Sequence, residues 1–202
     1  EAKPLTIVTI TEDFASIAKS VGGDNVRVLP LVKGSRNLHH VTPKPSMVIK
    51  VKKADLLIRL GMSQDKWIDG LITVARNPNL FKGRKGYIDA SSAIDEKLEV
   101  PSGSLDGSMG DVHSEGNPHY WLDPENGILI AQLIRDRLIR VDSANKAEYE
   151  ANFLRFKQNI ETKLIGWKAS LSTFQSKQFI TYHKVWSYFF KVFGLTTFGE
   201  LE

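Results

Sequence analysis

The stretch LTIVTITEDFASIAKSVGGDNVRVLPL, residues 5–31, decides the fold class of this chain. Leu5 to Ile10 is apolar and β-branched, which is typical of a buried parallel strand. Thr11 to Val21 repeats apolar side chains at helical spacing, and Gly22-Gly23 ends that predicted helix. A second strand follows from Val26 to Leu31. The strand–helix–strand order predicts an α/β fold with a parallel sheet and flanking helices.

The same alternation continues toward the C-terminus. Further strands are predicted at 55–60 and 86–89, and further helices at 45–51, 65–75 and 124–139. Residues 91–117 interrupt the alternation with a long acidic, glycine-containing loop. A loop of this length inside a compact domain usually has a function or is mobile.

The most regular segment of the sequence lies between residues 143 and 174. Ser143 is a candidate N-cap, and apolar side chains recur every three or four residues from Tyr149 to Phe174. We interpret this helix as a spine between two lobes, because a strand at 178–182 and a helix at 184–193 start a new α/β unit. A coiled-coil arm is the alternative.

The predicted division of the chain follows from that spine. We expect an N-terminal α/β lobe over 1–142, the spine over 143–175 and the start of a C-terminal α/β lobe over 176–202. The last segment is shorter than the ~40 residues that a domain usually needs to fold alone. We therefore expect a fragment in which the second lobe is incomplete, with Glu1 to Pro4 as a mature or trimmed start.

Composition excludes several classes of protein. The 202 residues are 42% hydrophobic and 25% charged and include no cysteine, so thiol catalysis, redox switching and cysteine-based zinc fingers are excluded. The net charge of +4 comes from scattered basic residues, whereas nucleic-acid binding requires a concentrated basic face. No apolar run approaches the ~18–20 residues of a membrane span. We expect a monomer that does not bind nucleic acid.

Three of the five histidines occupy comparable places in the α/β pattern. His39 follows the second predicted strand, His183 follows the strand at 178–182, and His119 precedes a helix. Any one of them alone is explained as a structural or surface histidine. Because ligands of open α/β sheets bind beyond the carboxyl ends of the strands, the three imidazoles together indicate a site for Zn, Cu, Fe or Ni.

Three motifs contain these histidines. They are HHVTPKPS at 39–46, NPHYWLDP at 117–124, and YHK at 182–184 followed by YFF at 188–190 and FGL at 193–195. These three motifs, in this order and with a long helix between the second and the third, resemble the motifs of the metal-binding solute-binding proteins of ABC transporters. This zinc/manganese family also includes proteins first described as adhesins.

The resemblance implies a two-lobed, periplasmic-binding-protein-like fold and no enzymatic activity. It implies that His39, His119 and His183 bind the metal, with His40 as the alternative to His39. Manganese-preferring members typically have a carboxylate where this chain has His183, so the resemblance implies Zn²⁺ ahead of Mn²⁺ or Fe²⁺. The fourth ligand of the family is usually an Asp or a water, and that Asp comes from late in the second lobe, a stretch that we expect to be missing from this chain.

The resemblance also implies a location and a partner. A member of this family works in the periplasm or at the cell surface and delivers its ion to a membrane permease. An adhesin role has no sequence feature of its own in this chain. Only neutral imidazole binds a metal, so we expect uptake to weaken as the histidines protonate near pH 6.

Two alternatives concern other residues near these motifs. A zinc hydrolase also binds its metal with three histidines and leaves one coordination position open. Its general base would have to be Asp123, which fits better as the N-cap of the helix that begins at Pro124. His113 is either a solvated loop residue or part of a weak second zinc site with Asp111 or Glu115. Four aromatic residues are expected to pack around the metal site as core: Trp121, Trp186, Tyr188 and Phe189.

Overall fold

The computed structural model describes residues 3–34, 38, 41–101 and 114–201. Its larger sheet has four parallel strands in the order β2-β1-β3-β4. The strands are β1 Leu5–Thr9, β2 Val26–Pro30, β3 Leu56–Arg59 and β4 Tyr87–Asp89. The four strands predicted for this half of the chain are therefore confirmed, and so is their parallel pairing.

Four helices accompany this sheet. They are α1 Glu12–Gly22, α2 Pro45–Lys52, α3 Trp67–Ala75 and α4 Pro124–Val141. The Thr11 hydroxyl accepts the N–H of Phe14 and so caps α1, while prolines occupy the first turns of α2 and α4. Because β1 lies between β2 and β3, the strand order reverses there, and a ligand crevice is expected at the carboxyl ends of β1 and β3.

The spine helix α5 spans Lys146–Leu171. The predicted N-cap at Ser143 is wrong, because Ser143 starts a separate 3-10 turn and α5 begins only after Asn145. The apolar side chains that recur from Tyr149 to Phe174 are also only partly buried. Tyr149 and Phe153 pack into the core, whereas Trp167 is 39% exposed and Phe174 is 47% exposed. Within the described ranges, no helix is long and apolar enough to cross a membrane.

A second sheet follows the spine. Strands β5 Gln178–Thr181 and β6 Thr196–Glu200 pair in parallel around helix α6 Ser187–Phe193. Gly194 ends α6 in the left-handed conformation, with φ 66°. Two differences from the prediction appear here: α6 starts at Ser187 because a turn occupies the residues before it, and β6 was not predicted.

Candidate metal centre

The structure describes two of the five histidines. His119 is half-buried and precedes the 3-10 turn Tyr120–Leu122. His183 is exposed, follows β5, and packs edge-on against Tyr182 with ring centroids 4.6 Å apart. The other three histidines lie outside the described residues, so their roles stay predictions: His39, His40 and His113.

Tyr120 fixes the segment with His119 against the four-stranded sheet. Its buried hydroxyl donates to the carbonyl of Leu60, directly after β3, at 2.6 Å. Burial raises the pKa of this hydroxyl well above its usual value, so it stays a neutral donor. The His119 ring lies 5.4 Å from that of Trp121, which meets Phe14 at the start of α1 edge-on. His119 therefore lies near the carboxyl ends of β1 and β3.

A left-handed turn follows β3 at the same edge of the sheet. Gly61, Met62 and Ser63 all have positive φ, at 76°, 50° and 61°. A Cβ at Gly61 would lie 2.1 Å from Oδ1 of Asp89, so only glycine fits this position. The hydroxyl of Ser63 donates to Glu115 at 3.0 Å and connects the acidic loop to the turn. Because strained backbone concentrates at functional sites, this turn favours a ligand site at this edge.

A buried ion pair holds the end of β3. Nη2 of Arg59 lies 2.7 Å from Oδ1 of Asp65, which is fully buried, and the other Asp65 oxygen accepts the N–H of Leu60 at 2.7 Å. Arg59 also donates to Asp69 at 2.6 Å and to the Tyr87 hydroxyl at 3.1 Å. Burial lowers the pKa of Arg59, but Asp65, Tyr87 and Asp69 together outweigh burial and raise that pKa. Burial also raises the pKa of Asp65, and Arg59 opposes that rise. These groups fix the backbone that receives Tyr120.

Asn117 joins the His119 segment to the segment around His183. Its side chain is buried. Its Oδ1 accepts the backbone N–H of His119 at 3.0 Å and lies 2.9 Å from Nδ1 of the same residue. Its Nδ2 donates to the carbonyl of Lys184 at 2.6 Å and to Glu99 at 2.9 Å. The structure thus brings together the backbone segments of two predicted ligands.

Further hydrogen bonds surround Asn117. The Tyr188 hydroxyl donates to the carbonyl of Asn117 at 3.0 Å and accepts the N–H of Leu98 at 2.9 Å. The Ser187 hydroxyl donates to Glu99 at 2.8 Å, and Glu99 has φ 55°. No periodicity or charge pattern in the sequence indicates Glu99. Asn117 stands inside the second histidine motif, and its place there is the signal that could have identified it.

The remaining residues that were predicted around the site differ in their burial. Tyr188 is buried as predicted, whereas Trp186 is 44% exposed, because it lies in the turn before α6, so its assignment to the core is wrong. Trp121 and Phe189 are half-buried. Asp123 accepts the N–H of Glu125 at 2.7 Å and is the N-cap of α4, as predicted.

The atoms that the described residues offer as metal ligands are imidazole nitrogens. The segments that carry them are joined by the buried side chain of Asn117. The candidate donors are the imidazoles of His119 and His183, and among the described residues no three His, Asp or Glu side chains cluster as a metal site. The predicted third ligand, His39, lies outside the described residues. Imidazole suits Zn, Cu, Fe and Ni, so the part of the site that is described fits a transition-metal ion.

Comparison with known proteins gives consistent matches. The family described as zinc-uptake complex component A, periplasmic (ZnuA), matches residues 7–201. The metal ABC transporter substrate-binding lipoprotein SloC of Streptococcus mutans is 27% identical over 199 residues, 96% of this chain and 61% of the relative. The manganese ABC transporter substrate-binding lipoprotein scaA of Streptococcus gordonii is 33% identical over 152 residues, 73% of this chain and 45% of the relative.

Solved structures agree with these matches. A zinc-bound ZnuA deletion mutant superposes with a TM-score of 0.81 and 25% identity, covering 99% of this chain and 70% of that one. The α/β fold with an incomplete second lobe is therefore confirmed. The chain spans 61% or less of the length of the two relatives named above. The match to nearly all of its residues shows that this chain belongs to the ZnuA family of periplasmic zinc-uptake components.

Proposed function

We propose that this chain is part of an extracytoplasmic solute-binding protein that captures Zn²⁺ and delivers it to the permease of an ABC transporter. The relatives are named as substrate-binding components of metal transporters, not as enzymes. The observation that carries the proposal is the junction at Asn117, which joins the segments of His119 and His183. The protein would work in the periplasm or at the cell surface, and we propose that it is a monomer.

Zinc is proposed ahead of manganese and iron because of the ligand chemistry. His119, His183 and His39 would supply imidazole nitrogens, which suit Zn²⁺ better than the harder Mn²⁺. The names of the relatives include manganese and iron as well as zinc, so a manganese or iron receptor is the second candidate. A zinc hydrolase is disfavoured, since Asp123, the carboxylate a base would require, is engaged as the N-cap of α4.

Metal retention by histidine variants tests this proposal. The 202-residue chain is dialysed against equal trace zinc, manganese and iron, and its metal content is measured by elemental mass spectrometry. We expect zinc to be retained by the unmodified chain. His119→Ala, His183→Ala and His39→Ala should each lower zinc affinity at least about tenfold, because each removes one imidazole ligand.

Asn77→Ala is the control, because its Nδ2 donates to the backbone carbonyls of residues 51, 52 and 54, and it should retain as much zinc as the unmodified chain. His40→Ala tests the alternative to His39, and His113→Ala tests the weak second zinc site. Manganese retained in preference to zinc would overturn the choice of metal, and zinc retention unaffected by the three ligand variants would overturn the histidine site. Ester hydrolysis that requires both zinc and His119 would overturn the receptor in favour of the hydrolase.

A further inference from the structure

Asn117 lies between one backbone group that can only donate a hydrogen bond and another that can only accept one. The backbone N–H of His119 only donates and the carbonyl of Lys184 only accepts, so the Asn117 amide has one orientation, with Oδ1 toward His119 and Nδ2 toward Lys184. Oδ1 also lies 2.9 Å from Nδ1 of His119. Because an amide oxygen is only an acceptor, Nδ1 carries the proton, and the lone pair of the neutral ring is on Nε2.

The partners of Nδ2 keep this amide from turning. Nδ2 donates to Glu99 at 2.9 Å and approaches the Ser187 hydroxyl at 3.3 Å, and that hydroxyl itself donates to Glu99. Asn117 is 6% exposed, so water is not available to replace these partners if the amide rotates. Reversing the amide would place Nδ2 against the His119 N–H and leave buried polar groups unsatisfied, at a cost of several hydrogen bonds.

We propose that Asn117 is a positioning residue that holds the His119 ring in its Nδ1–H tautomer, in which Nε2 is the nitrogen that can bind a metal, and ties this ring to the His183 segment. The inference rests on the proposed function. Its physical basis is the general one for metal-binding histidines, in which a hydrogen bond to one ring nitrogen decides which nitrogen binds the ion and how the ring is oriented. Here one side chain makes that hydrogen bond and also holds the next predicted ligand's segment.

The tautomer of His119 in the metal-free chain is the decisive measurement. Long-range ¹H–¹⁵N correlation spectra of the 202-residue chain at a pH where its histidines are neutral distinguish a protonated Nδ1 from a protonated Nε2. We expect the Nδ1–H pattern for His119 in the unmodified chain. Asn117→Ala removes the acceptor and should move His119 toward the Nε2–H form that free histidine prefers. Its zinc affinity should fall about 10–100-fold.

Asn77→Ala is the matched control. Asn77 is 8% exposed and its Nδ2 donates to three backbone carbonyls, including that of Ala54 at 2.8 Å, away from both histidines. This variant loses comparable buried hydrogen bonds, so it reports what destabilisation alone does. The His119 spectrum should be unchanged in Asn77→Ala.

Asn117→Asp separates the two roles and also serves if Asn117→Ala does not fold. The carboxylate still accepts from Nδ1 of His119 but no longer donates to Lys184, so the Nδ1–H pattern should persist. An unchanged His119 pattern in Asn117→Ala, or its loss in Asn117→Asp, would overturn the proposal. If the His119 spectra are as expected but no chain retains zinc, the result supports tautomer control by Asn117 and overturns the proposed function instead.

Discussion

At the scale of single residues, the buried Arg59–Asp65 pair is expected to have a large effect on stability. Both side chains are nearly or fully buried, and Asp65 has Arg59 as its charged partner. Arg59→Met leaves a buried carboxylate without its counter-charge. The free energy of unfolding, measured by urea denaturation, should fall by about 3–5 kcal/mol.

Two further variants test the cause of that loss. Adding Asp65→Leu to Arg59→Met should recover part of it, because no buried charge then remains, while the N–H of Leu60 loses its acceptor. Lys146→Ala, which removes an exposed pair with Glu150 at 3.7 Å, should cost less than about 1 kcal/mol. A loss below about 1 kcal/mol for Arg59→Met would contradict the assignment of a buried, ionised pair.

At the scale of elements, the start of α4 depends on the Asp123 cap. Asp123→Ala should lower the free energy of unfolding by about 1 kcal/mol, while Asp123→Asn should keep the cap. Burial, with Glu125 nearby, raises the pKa of Asp123 despite the hydrogen bonds that oppose the shift. A raised folded pKa means that ionisation of this carboxyl opposes folding.

The sign of the pH dependence follows from that raised pKa. Stability contributed by Asp123 declines as the pH rises through its unfolded and then its folded pKa, and Asp123→Asn has no such decline. The stability of Asp123→Asn relative to the unmodified chain should therefore be larger at about pH 7 than at about pH 3. The opposite trend in urea titrations at the two pH values would contradict the burial of this cap.

At the scale of the whole molecule, the two sheets differ in how far burial protects their backbone amides from hydrogen exchange. Strand β3 is buried at every residue, whereas Ile180 on β5 is 63% exposed and Phe198 on β6 is 69% exposed. A sheet of two strands is marginal unless its apolar face is covered. Backbone amides of β5 and β6 should exchange with deuterium at least about tenfold faster than those of β1 and β3, as followed by mass spectrometry of peptides.

Equal protection of the two sheets would contradict this asymmetry. The slow-exchanging strands of the larger sheet are the internal control in the same sample, because they experience the same pH and temperature. Ile180→Thr, at an exposed position, should change the free energy of unfolding by no more than about 0.5 kcal/mol.

Local signals explain which parts of this architecture were predictable. Apolar runs such as Leu5 to Ile10 and helical spacing such as that of α1 depend on neighbours in the sequence, so β1 to β4 and the first helices were predicted close to their ends. Strand β6 was missed because Gly199 interrupts a short segment with little apolar character. The Asn117–Lys184 contact joins residues far apart in sequence, and no local pattern encodes it.

Because α5 is long, a small tilt at its first residues would displace the second sheet, which follows its last residues, by a large distance. A helix of 26 residues is about 39 Å long, so a tilt of one degree at its base displaces its tip by about 0.7 Å. Bonds from imidazole to a metal tolerate only about 0.2 Å. A tilt of one degree at the base of the helix would therefore exceed what coordination tolerates, and the hydrogen bonds of Asn117 to Lys184 and Glu99 hold the two histidine segments together at short range.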